Sequence, residues 1–459
     1  MSETRQLADF IATLDAAACP AAALALAKRC IAETIGCSLG GARTPPMAAA
    51  MRAARRQGEG GPATVLGQGW RTAPDRAAFL NALAANALDY DGGIIRQGHY
   101  GSTVVSAALA VGELLQSPGS QILSAVVAGY EVVTRVGEAL CASVERHALV
   151  SGYGPYQGFG AAAATGHLLG LDPERMVYAL GLCGAFAPVP ATKGSNWADR
   201  PLSWTKDMVA WPARVGVEAA LLAEAGYIGP RTIFEGDRGF WRMAGSDRYD
   251  PRQLVAGLGE EFRFQDMYFK PYPCCRWNHA ALDGVRAVMA RQGWTAEDVA
   301  GIQLGVAKEV LGDQDNHDPH NLVDAQFSLP YVATMVLLGV EPGPRWYDPE
   351  LLTAPRVREL MAKVTLHLDA DMEELFEGRS VAGAKVQVTG RDGRRDQALV
   401  EIAYGHALNP MTDADLAAKF LGQAAEALAP AAARAALDRI LDLEHLDRAA
   451  SLTALLLGN

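Results

Sequence analysis

The chain has 459 residues, half of them hydrophobic and 20% charged, with a net charge of −11. That length is more than one small core needs and sets an expectation of two domains, in a balance typical of well-packed globular proteins. No apolar run reaches the roughly 18–20 residues of a membrane span, and no Lys/Arg cluster offsets the acidic background as a nucleic-acid surface requires. Neither a membrane nor a nucleic acid is expected as partner.

The first residues carry Glu3, Arg5, Asp9 and Asp15, so they do not read as a secretory signal. Residues 3–40 read as two helices. Residues 41–76 are irregular, and the run Gly58 to Pro62 lacks the Gly-Lys-Ser/Thr of a phosphate loop, so it reads as a turn. From Arg76 to Gly226 the pattern is helical almost without pause. Ser120 is placed to cap a helix reaching Cys141, in which Ile122, Val126, Val127, Tyr130, Val133 and Val136 recur at helical spacing. Asp172-Pro173 opens another helix, with Asp as N-cap and Pro in the first turn. After about Gly257 the period changes: Ile302, Leu304 and Val306 alternate, as do Val364, Leu366 and Leu368, then Val386 and Val388. Asp392-Gly393 suits a type I′ hairpin. Thr412 with Asp415 forms a capping-box pattern at the head of an Ala/Leu tail expected to pack back on the first domain. The expected fold is mainly α with a smaller α+β domain: 1–260 with 404–459 all-helical, and 261–403 α+β around a small antiparallel sheet.

Seven cysteines, an odd number, sit largely in apolar segments, as buried free thiols do. A reducing, cytoplasmic setting fits them. There is no CxxC and no HExxH, and the adjacent Cys274 and Cys275 are poorly spaced to share one metal. No metal and no cofactor is expected.

Four polar insertions could carry chemistry. The first, Ala87 to Thr103, sets Asp89, Asp91, Arg96, Gln97 and His99 among four glycines between Ala-rich helices, richer than a connector needs. A polar turn with Asp caps is the alternative. The second, Ser151 to Gly158, reads as a loop before the Ala161 helix; it lacks the preceding strand that a dinucleotide loop requires. The third, Ser203 to Lys206, opens an apolar helix through Ala225, with Lys206 opposed to the helix dipole. An amine with a lowered pKa would explain that placement, and so would a surface lysine snorkelling over the helix. The fourth, Lys270 to His279, gathers cations at the seam of the two domains, where ligand clefts favour forming. It implies an anionic substrate, most simply a carboxylate that Arg276 grips in bidentate fashion.

These insertions carry a family resemblance. ALDYD at 87–91 with His99 downstream, GFGAAAATGHLLGLD at 158–172, Lys206 before ARVGVEAALLAEAGYIGP, FKPYPCCRWNH at 269–279, DAQFSLPY at 324–331 and NPMTDADLAAKF at 409–420 run in order along nearly the whole chain. In these the chain resembles the MmgE/PrpD family, which includes 2-methylcitrate dehydratase, cis-aconitate decarboxylase and iminodisuccinate epimerase. The resemblance implies a large all-helical domain closed by the C-terminal helices, a smaller α+β lid, and a homodimer. It carries Asp89 and His99 over as active-site residues, and Lys206 and Lys270 as the two family lysines. The chain departs from the family at Gly92 and Gly93, where many members have a second Asp and a nearby Thr. It departs again at Ser151, near which many place a His. Tyr153 and Lys206 resemble the base pair suggested for the epimerase branch.

The expected activity is that of a cofactor-independent, dehydratase-like lyase removing a proton next to a carboxylate in a small di- or tricarboxylic acid. Lys206 is the expected base, His99 and Tyr153 the proton donors, and Asp89 the group that orients His99 or a water. Lys270, Arg276, Asp91 and Gln97 are the expected substrate contacts. Two other readings stay open: an epimerase with Tyr153 and Lys206 on opposite faces of one carbon, and a non-catalytic carboxylate-binding homologue.

Overall fold

The computed structural model describes residues 1–58, 60–151, 153–192, 200–205 and 208–458; the side chains of Ala18, Ser151 and Tyr153 lie outside that description. The N-terminal region is a stack of helices: α1 (Glu3–Thr13), α2 (Ala21–Gly41), α3 (Pro74–Asn86), α4 (Tyr100–Leu115), α5 (Gly119–Ala139), α6 (Tyr153–Leu168), α7 (Pro173–Phe186) and α8 (Ala210–Glu224). Helix α4 is buried without interruption from Tyr100 to Glu113, as a helix apolar all round must be. Small residues let its neighbours close in: a Cβ on Gly216 of α8 would stand only 2.5 Å from that of Ala161 on α6.

The helix ends show what the local sequence decides. The Asp172 side chain accepts the N–H groups of Glu174 and Arg175, and Pro173 occupies the first turn, as expected. Three starts differ from expectation. Helix α5 begins at Gly119 behind Pro118, whose carbonyl accepts from Gln121 and Ile122, so Ser120 lies inside the first turn instead of capping it. The second insertion is helical from Tyr153; Pro155 is tolerated because N–H groups in a first turn have no intrahelical acceptor. Helix α8 begins only at Ala210, since Met208 has a left-handed φ of 55°.

The second region holds β1 (Val299–Val306), β2 (Val364–Leu368), β3 (Ala384–Gly390) and β4 (Arg395–Val400), in the order β2-β1-β3-β4. The expected antiparallel sheet is in fact mixed, because β1 and β2 run parallel. Parallel neighbours need a long crossover, and residues 307–363 supply it. In the β3–β4 hairpin only Gly393 takes a positive φ, 83°. Residues 391–394 therefore form a longer loop than the two-residue type I′ turn expected. Helix α9 (His279–Gln292) lies across β3 and β4; a Cβ on its Gly284 would come within 2.5 Å of Val386.

The tail returns to the N-terminal stack. Helix α10 (Asp413–Ala424) starts with the expected capping box of Thr412 and Asp415 and packs on α2, tied by Arg29–Asp413 and Lys419–Glu33 ion pairs. One hydrophobic core joins the N-terminal helices to this tail, and another fills the sheet region. The second core also takes in Leu88 and Tyr90 of the first polar insertion, so that insertion lies at the seam. The seven cysteines are free thiols. Among the described residues, no helix is long and apolar enough to cross a membrane.

Candidate active site

The turn from Ala87 to His99 leaves α3 and enters α4 through left-handed backbone at Asp89 (φ 50°), Arg96 (φ 61°) and Gly98 (φ 122°). Non-glycine residues in that region are uncommon and cost energy. Gly93 pairs in antiparallel fashion with Tyr268, exchanging hydrogen bonds of 3.2 and 3.0 Å. A Cβ on Gly92 would stand 2.3 Å from the Tyr268 carbonyl oxygen, and one on Gly93 2.2 Å from that of Gly98. The backbone of neighbouring segments thus fills the space where a side chain at either position would begin. That packing accounts for glycine at the two departures in this motif.

The turn carries four of the expected site residues, Asp89, Asp91, Gln97 and His99, and receives a fifth, Lys270, from the seam. Lys270, 1% exposed, places Nζ 3.0 Å from Asp89 Oδ2 and donates to the Asp89 carbonyl at 2.7 Å. Burial alone would lower the Lys270 pKa, but the Asp89 charge, with Tyr268 and Asp91, outweighs it and holds the amine protonated, above its ordinary value. His99, 12% exposed, lies with Nδ1 3.3 Å from Asp91 Oδ2 and Nε2 3.8 Å from Asp89 Oδ1. Asp91 also accepts from Asn86 Nδ2 at 3.0 Å and from the Ser102 hydroxyl. Gln97 is held within the turn: its Oε1 accepts from the Tyr100 hydroxyl at 2.9 Å and its carbonyl from that of Tyr156 at 2.6 Å.

Arg276 stands apart from this cluster, its guanidinium 5.0 Å from the centre of the Tyr268 ring. It lines a cavity of about 150 Å³ together with Arg96, His147, Tyr156, Trp277 and Glu309. Lys206 and the Tyr153 side chain lie outside the described residues. Four partners escaped the sequence reading: Asn86, Ser102, Glu33 and Lys419. The Glu33 carboxylate accepts the Gly92 N–H at 2.9 Å and pairs with Lys419 at 2.6 Å. A single acid in the apolar run IAETIGC, and a lysine on an Ala/Phe helix, were the available signals.

Donor atoms of Asp89, Asp91 and His99 lie within 4.8 Å of one another, close enough to share a cation. The Lys270 ammonium already neutralises Asp89, and Asn86 and Ser102 already donate to both oxygens of Asp91. The donor set is therefore better matched to moving a proton than to holding a metal.

Two family models cover most of the chain. Residues 5–252 match the MmgE/PrpD N-terminal domain and residues 272–444 the MmgE/PrpD C-terminal domain. The chain belongs to the MmgE/PrpD family. It is 27% identical to cis-aconitate decarboxylase of Homo sapiens, an alignment covering 94% of this chain and 89% of that protein. It is 25% identical to cis-aconitate decarboxylase of Aspergillus terreus, over 95% and 92% of the two chains. A cis-aconitate decarboxylase-like protein of Aspergillus oryzae matches at 24%, over 99% and 97%. The match to MmgE/PrpD proteins thus runs through both regions and includes the turn.

Proposed function

We propose that this MmgE/PrpD protein is a lyase acting on a small di- or tricarboxylic acid with its own side chains as the acid–base machinery, and that cis-aconitate is the first substrate to try. The observation that carries the reading is His99 held between Asp89 and Asp91, beside the buried Lys270. With Asp91 against one ring nitrogen and Asp89 towards the other, His99 is placed to serve as the proton donor of the reaction. Arg96 and Arg276, which line one cavity at the seam, hold the carboxylates of the acid.

In a decarboxylation, the bond to the departing carboxylate breaks and its electron pair passes into the remaining conjugated acid. His99 then delivers a proton to carbon. In a dehydration, the same proton goes to the departing hydroxyl, and Lys206 removes the proton next to the carboxylate. Developing negative charge is stabilised because the cationic groups are oriented before it forms. Asp91, closer to His99 than Asp89 is, orients the ring; Asp89 holds Lys270. A cytoplasmic homodimer belongs to the same reading, and light scattering on the purified chain checks the dimer.

The test is a screen of cis-aconitate, methylcitrate and iminodisuccinate in deuterated water, followed by NMR. Loss of CO2 or water, with deuterium at the carbon that receives the proton, is expected. Inversion of stereochemistry without loss of mass would instead establish the epimerase, and binding without product the silent homologue.

A further inference from the structure

Against the carboxylate turn lies a second buried ion pair that the proposed chemistry does not use. Glu33 comes from α2 and Lys419 from α10, 386 positions later in the chain. Both side chains are almost fully buried. Lys419 Nζ donates at 2.6 Å to Glu33 Oε1 and at 2.6 Å to the Tyr90 carbonyl, and lies 4.1 Å from the centre of the Tyr90 ring. The same Glu33 oxygen accepts the Gly92 N–H at 2.9 Å, with the Cys37 thiol 3.7 Å away. The peptide groups on either side of Asp91 are therefore both gripped by one charge pair.

A buried ion pair is a poor source of stability, since well-packed apolar residues often serve as well or better. Its contacts with the peptide groups flanking Asp91 suggest a different role. We propose that Glu33 and Lys419 are positioning residues that set both the place of Asp91 and the field felt by the Asp91–His99 pair. The inference rests on the reading of His99 as proton carrier.

Among the described residues, the groups around Asp91 come from several elements: Asn86 of α3, His99 and Asp89 of the turn, Ser102 of α4, Glu33 and Cys37 of α2, Lys419 of α10, and Tyr268 and Lys270 of the seam. Burial raises the Glu33 carboxyl, Lys419 offsets this, and the charge of Asp91 adds to the rise, so the two acids sense each other. The pair as a whole is neutral. Removing one member leaves a single uncompensated charge near Asp91, and its sign depends on which member is removed.

The experiment is an NMR titration of the His99 imidazole in the full chain, its signal assigned by loss in His99→Gln. Glu33→Gln keeps the shape but leaves the Lys419 cation alone, so the His99 midpoint should fall by about half a unit or more. Lys419→Met leaves the Glu33 anion alone, so the midpoint should rise by a similar amount. The double variant should return towards the wild-type midpoint. Mere loosening of the fold would not produce opposite shifts that cancel. Equal midpoints in all folded variants, or shifts of one sign, would overturn the proposal. If Lys419→Met does not fold, Glu33→Gln against the double variant decides by the same criterion; if none folds, the pair is structural and the proposal is wrong. The titration needs no substrate, so a failed substrate screen and a failed positioning role are separate outcomes.

Discussion

At Lys270 two demands meet in one side chain. Its ammonium neutralises Asp89 in a site from which water is nearly excluded, and donates to the same residue's carbonyl. Lys270→Met would leave the Asp89 charge buried and alone, a change that costs about 3–5 kcal/mol in comparable sites. Urea unfolding should register that loss, and turnover should disappear with it. Adding Asp89→Asn removes the stranded charge and should recover part of the stability without the activity. These residues could be nominated from sequence because acids, a histidine and lysines are conspicuous in an apolar chain. Their pairing could not, since Asp89 and Lys270 are 181 positions apart. Asn86 and Ser102 attracted no notice for a different reason: short polar residues beside helix ends usually cap.

At the scale of elements, glycines have opposite meanings in different places. Gly92→Ala drives a methyl group onto the Tyr268 carbonyl, so the bridge to residue 268 must open. We expect a loss of roughly 1–3 kcal/mol, as for other overpacked sites, and a fall in kcat as Asp91 moves. Gly378→Ala, in the Ala370–Arg379 helix with nothing within 4 Å of the new Cβ, should instead stabilise by up to about 1 kcal/mol and leave activity unchanged. Thermal unfolding and steady-state rates on the two variants separate these cases. The sequence reading recognised helices, capping signals and alternating strands, because each is decided within a few residues. It missed the parallel pairing of β1 with β2, and the helical start at Tyr153, where the rest of the molecule has the deciding vote.

For the whole molecule, pH links the seam to stability. His279, buried against the Tyr272 ring, is pushed down to about 3 by burial and then by the charge of Lys270. Burial also lowers His167. Unfolded, a histidine takes a proton near pH 6.5, whereas folded His279 does not until far lower. The unfolded state therefore binds more protons below about pH 6.5, and stability present above that pH is lost as it falls. For each such group the slope approaches about 1.4 kcal/mol per pH unit. Urea titrations between pH 7 and 5 should show the decline, and His279→Gln should flatten it.

From the sequence alone came the class of fold, the kinship carried by motifs in order, and the set of polar residues among which a site must be sought. Periodicity, capping and turn chemistry act over a few residues, and so they are written in the local order of the chain. Only the tertiary structure decided which of those polar groups meet. It put Asp91 nearer His99 than Asp89, turned Lys270 inward to Asp89, and filled with backbone the space beside Gly92 and Gly93. It also brought Lys419 from the far end of the chain to stand against the turn. Contacts between distant segments depend on how whole helices pack, and packing is a property of the assembled core.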